Sequence, residues 1–256
     1  MSRTFKLTIA YDGTDFAGWQ VQPGRPTVQG LLQDALREIT GTNIGVIGSG
    51  RTDAGVHAIA QVASCVLPWR DEAERLALAI NAKLPESIVV RRAVEVAQGF
   101  HAIRDAIGKR YRYQLQIGGK RDPFSYRYRW RLRGEVDLEP MRLAAARLVG
   151  RHDFASFQAA GSDRKTTVRD LRACEVIVES NEGIIRHDDN LHVAVEVEAD
   201  GFLYNMVRNI VGSLVEVGRG KYAPQWMDEV VSRRDRDAAG PTAPPHGLFL
   251  LRVDYP

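Results

Sequence analysis

The chain has 256 residues, 44% of them hydrophobic and 26% charged. That balance belongs to a folded globular protein long enough to bury a core without staples, and it excludes a disordered or fibrous chain. The 35 basic residues against 32 acidic leave a net charge of +3, which permits a nucleic-acid partner without demanding one.

No apolar run is long enough to cross a bilayer, so no membrane association is expected. Met1–Thr4 runs straight into a strand pattern, with no leader peptide expected before it. Cys65 and Cys174 each sit in an apolar, strand-like segment. We expect two reduced core thiols in a cytoplasmic protein, and no thiolate zinc site.

In chain order, residues 5–11 alternate as a half-buried strand. Thr27 caps a helix whose apolar face is Val28, Leu31, Leu32, Ala35, Leu36 and Ile39. A short strand at 43–47, the loop 48–55, a strand at 57–66, a helix at 71–84 stopped by Pro85 and a strand at 87–96 follow. The order is β-α-β-β-α-β, the split arrangement of a ferredoxin-like unit. A second pass repeats the pattern: strand 109–117, an added strand 126–132, helix 138–149, strands 168–179 and 191–198, helices 202–217 and 224–232, and a closing strand 247–253. The expected fold is therefore α+β. Two ferredoxin-like units, 1–106 and 107–256, would join one mixed, mainly antiparallel sheet, with helices on one face and a cleft between them.

Four segments could carry chemistry. Gly48-Ser49-Gly50-Arg51-Thr52-Asp53-Ala54-Gly55-Val56-His57 puts a cation, a carboxylate and an imidazole in one glycine-rich loop. It reads equally as a plain turn whose Asp53 bonds its own backbone. A Walker loop is excluded, because the Gly-Lys-Ser/Thr ending is missing. The helix at 202–217 is apolar nearly all round, so Arg208 on it needs an anionic partner if buried. In Lys109-Arg110-Tyr111-Arg112-Tyr113, alternation sends the tyrosines to one face and the arginines to the other. Tyr113 reads as core, whereas a ring beside a cleft can stack on a base. Tyr126-Arg127-Tyr128-Arg129-Trp130-Arg131-Leu132-Arg133, as a strand, lines up four arginines. That is either an edge guarded by charge or a nucleic-acid footprint, and we favour the second. The segment His187–His192 carries metal-capable side chains but reads as a solvated hairpin loop.

These segments together resemble the tRNA pseudouridine synthase A family. The matching stretches are 11–20, 50–58, 109–113, 152–157, 202–212 and 239–244, spread almost end to end. The departures are Ala60, where the family has glycine, and Pro245, where it has alanine. The resemblance implies an isomerase converting uridine to pseudouridine on the 3′ side of the tRNA anticodon stem-loop, at tRNA positions 38–40. It implies Asp53 as catalytic nucleophile or base, Arg208 paired with it, and Tyr111 against the target uracil. Arg51 would guard the space left by the flipped base, and His57, Arg127 and Arg129 would join it in binding substrate. It also implies a homodimer with tRNA across both subunits, no metal and no organic cofactor. Whether Asp53 attacks the uracil C6, attacks the ribose C1′ or removes the 2′ proton stays open. Two other readings compete: a non-catalytic RNA-binding protein, and a hydrolase, for which no second carboxylate is evident.

Overall fold

The computed structural model describes residues 2–159, 161, 166–179 and 190–256. The chain is mixed α and β, with five α-helices and ten strands among those residues. It divides into two compact units, Met1–Ile107 with Phe249–Pro256, and Gly108–Leu248.

In the N-terminal unit, β1 (Arg3–Tyr11) leads through α1 (Val28–Thr40) and β2 (Val46–Gly48) to β3 (His57–Leu67), then α2 (Ala73–Asn81) and β4 (Ile88–Val96). The order β4-β1-β3 is antiparallel throughout, and β2 also runs antiparallel to β3. Alternation along β1 buries Phe5, Leu7, Ile9 and Tyr11. Leu32 and Leu36 of α1 and Leu76 and Ile80 of α2 are equally buried. The predicted cap holds: the Thr27 hydroxyl accepts from the Gly30 N–H at 3.3 Å. At the other end Gly41 closes α1 at φ 71°, donating to the Arg37 carbonyl at 2.9 Å. Helix α2 is shorter than the expected 71–84, because its last turn already tightens at Ala82 ahead of Pro85.

The last strand, β10 (Leu248–Asp254), departs from the expected division at 106/107. The pattern placed it in the second unit, but Phe249–Pro256 clusters with the first. Phe249 and Leu250 pair in parallel with His57 and Ala58 of β3, and Asp254 accepts from the Ile107 N–H at 2.9 Å. Periodicity predicts a strand but not which edge it joins.

The C-terminal unit holds β5 (Gly108–Ile117), β6 (Trp130–Leu132), α3 (Leu138–Ala146), β7 (Gly150–Asp153), β8 (Val168–Val178), β9 (Leu191–Ala199), α4 (Met206–Gly218) and α5 (Trp226–Arg233). Its strand order is β5-β9-β8-β7, antiparallel, with β6 parallel to β5. Two expectations fail here. The arginine strand 126–132 shrinks to β6, because 123–128 turns on itself, with Tyr128 N–H on the Ser125 carbonyl at 2.8 Å. Helix α4 starts at Met206 and not at 202, because Asn205 takes a left-handed φ of 59° and ends the approach. The short β7 was not foreseen. Both cysteines are free and buried, and burial pushes each thiol up to about 12, so neither is a nucleophile near neutral pH. The segment 180–189, including His187, lies outside the described residues.

Candidate active site

The loop between β2 and β3 is held from below by a polar lattice. Ser49 N–H donates to the Val62 carbonyl at 2.7 Å, and Ser49 Oγ to Gln61 Oε1 at 2.7 Å. Gln61, fully buried, returns Nε2 to the Gly50 carbonyl at 2.9 Å. Further along, Thr52 Oγ1 and the Tyr11 hydroxyl share a buried hydrogen bond of 2.7 Å. Burial pushes the Tyr11 phenol up to about 12, against the pull of its bonds to Thr52 and Gln61, so it stays a neutral anchor. The Thr52 carbonyl accepts from the Trp19 N–H at 2.9 Å.

Asp53 therefore follows a residue fixed at both its side chain and its carbonyl. Its own carbonyl accepts from Val56 N–H at 3.1 Å, closing a turn in which Gly55 sits at φ 76°. Gly18 packs over this turn at φ 99°, and a Cβ there would lie 2.6 Å from the Thr52 carbonyl oxygen. Asp53 is half-buried and Arg51 exposed. His57, 1% exposed, faces inward. Its Nδ1 lies 3.0 Å from both Gly13 N and Asp12 Oδ1, accepting from the first when neutral and donating to the second when protonated. The ring stacks on Phe249 at 4.6 Å. His57 thus clamps the turn after β1 onto β3, and its burial sets it apart from the exposed Arg51.

In the C-terminal unit the alternation on β5 holds. Tyr111 and Tyr113 are buried. Tyr111 meets Phe202 edge-on at 5.0 Å, and Tyr113 donates to the Pro244 carbonyl at 2.7 Å. Arg208 lies in the first turn of α4, half-buried. Its Nε donates to the Ala243 carbonyl at 2.7 Å and its Nη1 to Asn205 Oδ1 at 2.7 Å, which aims the guanidinium. The Ala243 N–H closes the pair on the Arg208 carbonyl at 3.1 Å.

Sequence reasoning missed what holds Ala243. Asn209, fully buried, donates to the Phe157 carbonyl at 2.8 Å and accepts from Thr242 Oγ1 at 2.7 Å and Arg236 Nη2 at 3.2 Å. Gly240 N–H donates to Ser213 Oγ at 2.9 Å. At Gly212 a Cβ would lie 1.7 Å from the Pro241 carbonyl oxygen, so only glycine lets 239–244 seat on α4. The signal was present as asparagine and glycine on a helix too apolar to be a surface one, but periodicity gives them no partner.

The structure separates the basic residues. Arg127 is exposed, its guanidinium 5.8 Å over the Tyr126 ring. Arg129 pairs instead with Glu179 at 2.5 Å. It ends an ion lattice in which Glu179 also reaches Arg112 at 3.5 Å, Glu196 takes Arg112 at 2.7 Å and Arg110 at 2.5 Å, and Arg110 reaches Glu198 at 3.1 Å. The face opposite Tyr111 and Tyr113 is thus neutralised internally.

Each unit thus carries one charged candidate on a fixed backbone: the turn bearing Asp53 in the first, and Arg208, held by two acceptors, in the second. The family model for tRNA pseudouridine synthases matches residues 7–103 and 144–256. Relatives described as tRNA pseudouridine synthase A are similar over nearly the whole chain. That of Moorella thermoacetica is 46% identical over 98% of this chain and 98% of its own length. That of Myxococcus xanthus is 42% identical over 98% and 91%, and that of Geotalea uraniireducens 42% over 99% and 100%. The chain belongs to the tRNA pseudouridine synthase family. Membership makes it an isomerase that acts on tRNA.

Proposed function

We propose that this chain converts uridine to pseudouridine at positions 38–40 of the tRNA anticodon stem-loop, with the Asp53 carboxylate as nucleophile or base. The observation that carries the reading is the Asp53 turn itself, pinned through Tyr11, Thr52 and Gly18 while its carboxylate-bearing residue stays only half-buried. The reaction breaks a C–N glycosidic bond, turns the base and forms a C–C bond. It is redox-neutral and transfers nothing from outside, so the chemistry needs no cofactor. It needs a carboxylate in a water-poor pocket, held ionised by a cation, the role of Arg208 in this reading. The loosened uracil must stay in place, the role of Tyr111. The target nucleotide leaves its stack first, and Arg51 takes the space it vacates. Arg127 grips phosphate, with Arg129 and His57 supporting the surface from within. Each unit is read as ferredoxin-like, and the working form as a cytoplasmic homodimer.

The test uses tRNA tritiated at uracil C5. An isomerase releases tritium while the base stays attached to the chain, a hydrolase frees uracil, and a binding protein releases nothing. Asp53→Asn is expected to abolish release while tRNA binding persists. Loss of both together assigns Asp53 a structural role and removes the reading.

A further inference from the structure

The segment between β1 and α1 carries more order than an exposed turn requires. Residues 20–26 are all exposed, with Val21 48% exposed just before the Gln22–Arg25 turn. Its neck is nevertheless tied at three levels. Ala17 N–H donates to the Pro26 carbonyl at 2.9 Å, Val28 N–H to Gly18 at 3.3 Å, and Gln29 N–H to Trp19 at 2.9 Å. The tip is braced by two glutamines. Gln22 Nε2 donates to the Ala17 carbonyl at 2.8 Å. Gln29 accepts from Val21 N–H at 2.9 Å and donates to the Val46 carbonyl at 2.8 Å. Arg25 N–H closes the tip on Gln22 at 3.3 Å.

The same neck holds the candidate site. Trp19 N–H binds the Thr52 carbonyl at 2.9 Å, and Gly18 touches the backbone of Asp53. A rigid hairpin therefore projects from the residues that fix the reacting carboxylate. It carries one cation, Arg25, whose guanidinium forms no ion pair among the described residues, and one exposed apolar side chain, Val21. Ordering an exposed loop costs conformational entropy that the loop's own contacts barely offset. A cation carried on an ordered backbone beside a nucleotide site lowers the cost of gripping a backbone phosphate.

Resting on the reading above, we propose that this hairpin is a second RNA-contacting element. Arg25 takes a backbone phosphate of the strand bearing the target uridine, and Val21 packs against the adjoining ribose. The contact sets affinity and register, while Asp53 does the chemistry.

The experiment compares Arg25→Glu, Arg25→Lys and Arg70→Glu with the unaltered chain, using full-length tRNA tritiated at C5. Arg70 is exposed and follows the far end of β3, so its reversal reports the effect of net charge alone. Arg25→Glu is expected to raise KM about ten-fold, with turnover recovered at saturating tRNA, and to cut the slope of log affinity against log salt by about one. Arg25→Lys is expected to restore most of the affinity, and Arg70→Glu to lie within two-fold of the unaltered chain, on the order of the surface-charge effects usual for rim residues. An unchanged KM in Arg25→Glu, an equal effect from Arg70→Glu, or a change in self-association instead of tRNA affinity overturns the proposal. If the unaltered chain itself releases no tritium, the isomerase reading fails first, and the binding arm alone then judges the hairpin.

Discussion

At the residue scale, two positions, one in each unit, hold a candidate residue by geometry more than by chemistry. Gly18 has a left-handed φ of 99° and no room for a Cβ against the Thr52 carbonyl. Gly18→Ala should cost about 1–3 kcal/mol and lower tritium release, because the turn bearing Asp53 must move to admit the methyl group. A lowered melting temperature with unchanged release would show that the turn tolerates displacement. Asn205 is the second case, a non-glycine residue at φ 59° that also accepts from Arg208. Asn205→Gly relieves the backbone and removes the acceptor, so it should spare stability and reduce turnover. Asn205→Ala should reduce both, by about 1–2 kcal/mol in stability. Denaturant unfolding beside tritium release separates the two effects. Neither position was legible in the sequence: Asp53, Arg51 and Arg208 stand out by type and setting, whereas Gly18 and Asn205 matter through backbone angles that no side-chain pattern reveals.

At the element scale, α4 and the segment 239–244 act as one piece. Gly212→Ala would drive a methyl into the Pro241 carbonyl and lift Ala243 from Arg208. It should destabilise the unit by about 1–3 kcal/mol through overpacking, measured by denaturant unfolding. On β5 the ion lattice turns on Glu196, 5% exposed and shared by Arg110 and Arg112. Glu196→Gln removes the charge that two partly exposed guanidinium groups share, leaving each its outer carboxylate, and should cost about 1 kcal/mol, read by the same unfolding. Arg127→Glu should weaken tRNA binding without touching stability, while Arg129→Glu sets two carboxylates together and should lower stability as well. The strands and helices were largely readable, because apolar residues recurring every second or every third to fourth position mark one buried face. The arginine strand was not. Alternating Arg and aromatic residues fit a strand equally well as a turn, and Asp122, whose Oδ1 accepts from Phe124 N–H at 2.9 Å, decides for the turn.

At the scale of the whole molecule, stability should depend on pH through His246. Burial, reinforced by Arg208, holds its imidazole below the usual 6.5, although its bond to the Arg129 carbonyl at 3.1 Å opposes this. The unfolded chain therefore binds the proton more readily than the folded one. Stability is full above 6.5, falls as pH drops from there toward the folded value, and levels off below it. Unfolding midpoints of the unaltered chain and of His246→Gln, taken across that window, should converge as the solution becomes more acidic. Parallel curves would relieve His246 of the role. A division into two units was legible in outline, but the second unit runs β5-β6-α3-β7-β8-β9-α4-α5 without the expected closing strand, whose destination was not legible. That strand has a consequence for how the chain is made. The parallel neighbour of β3 comes from residues that follow the whole second unit in the chain, so the first unit must wait, with one strand edge bare, until the second has been synthesised. Biogenesis thus runs against the order of the message: the half begun first is completed only after the other, and a nascent chain stalled before β10 would display an open edge of the kind that chaperones recognise.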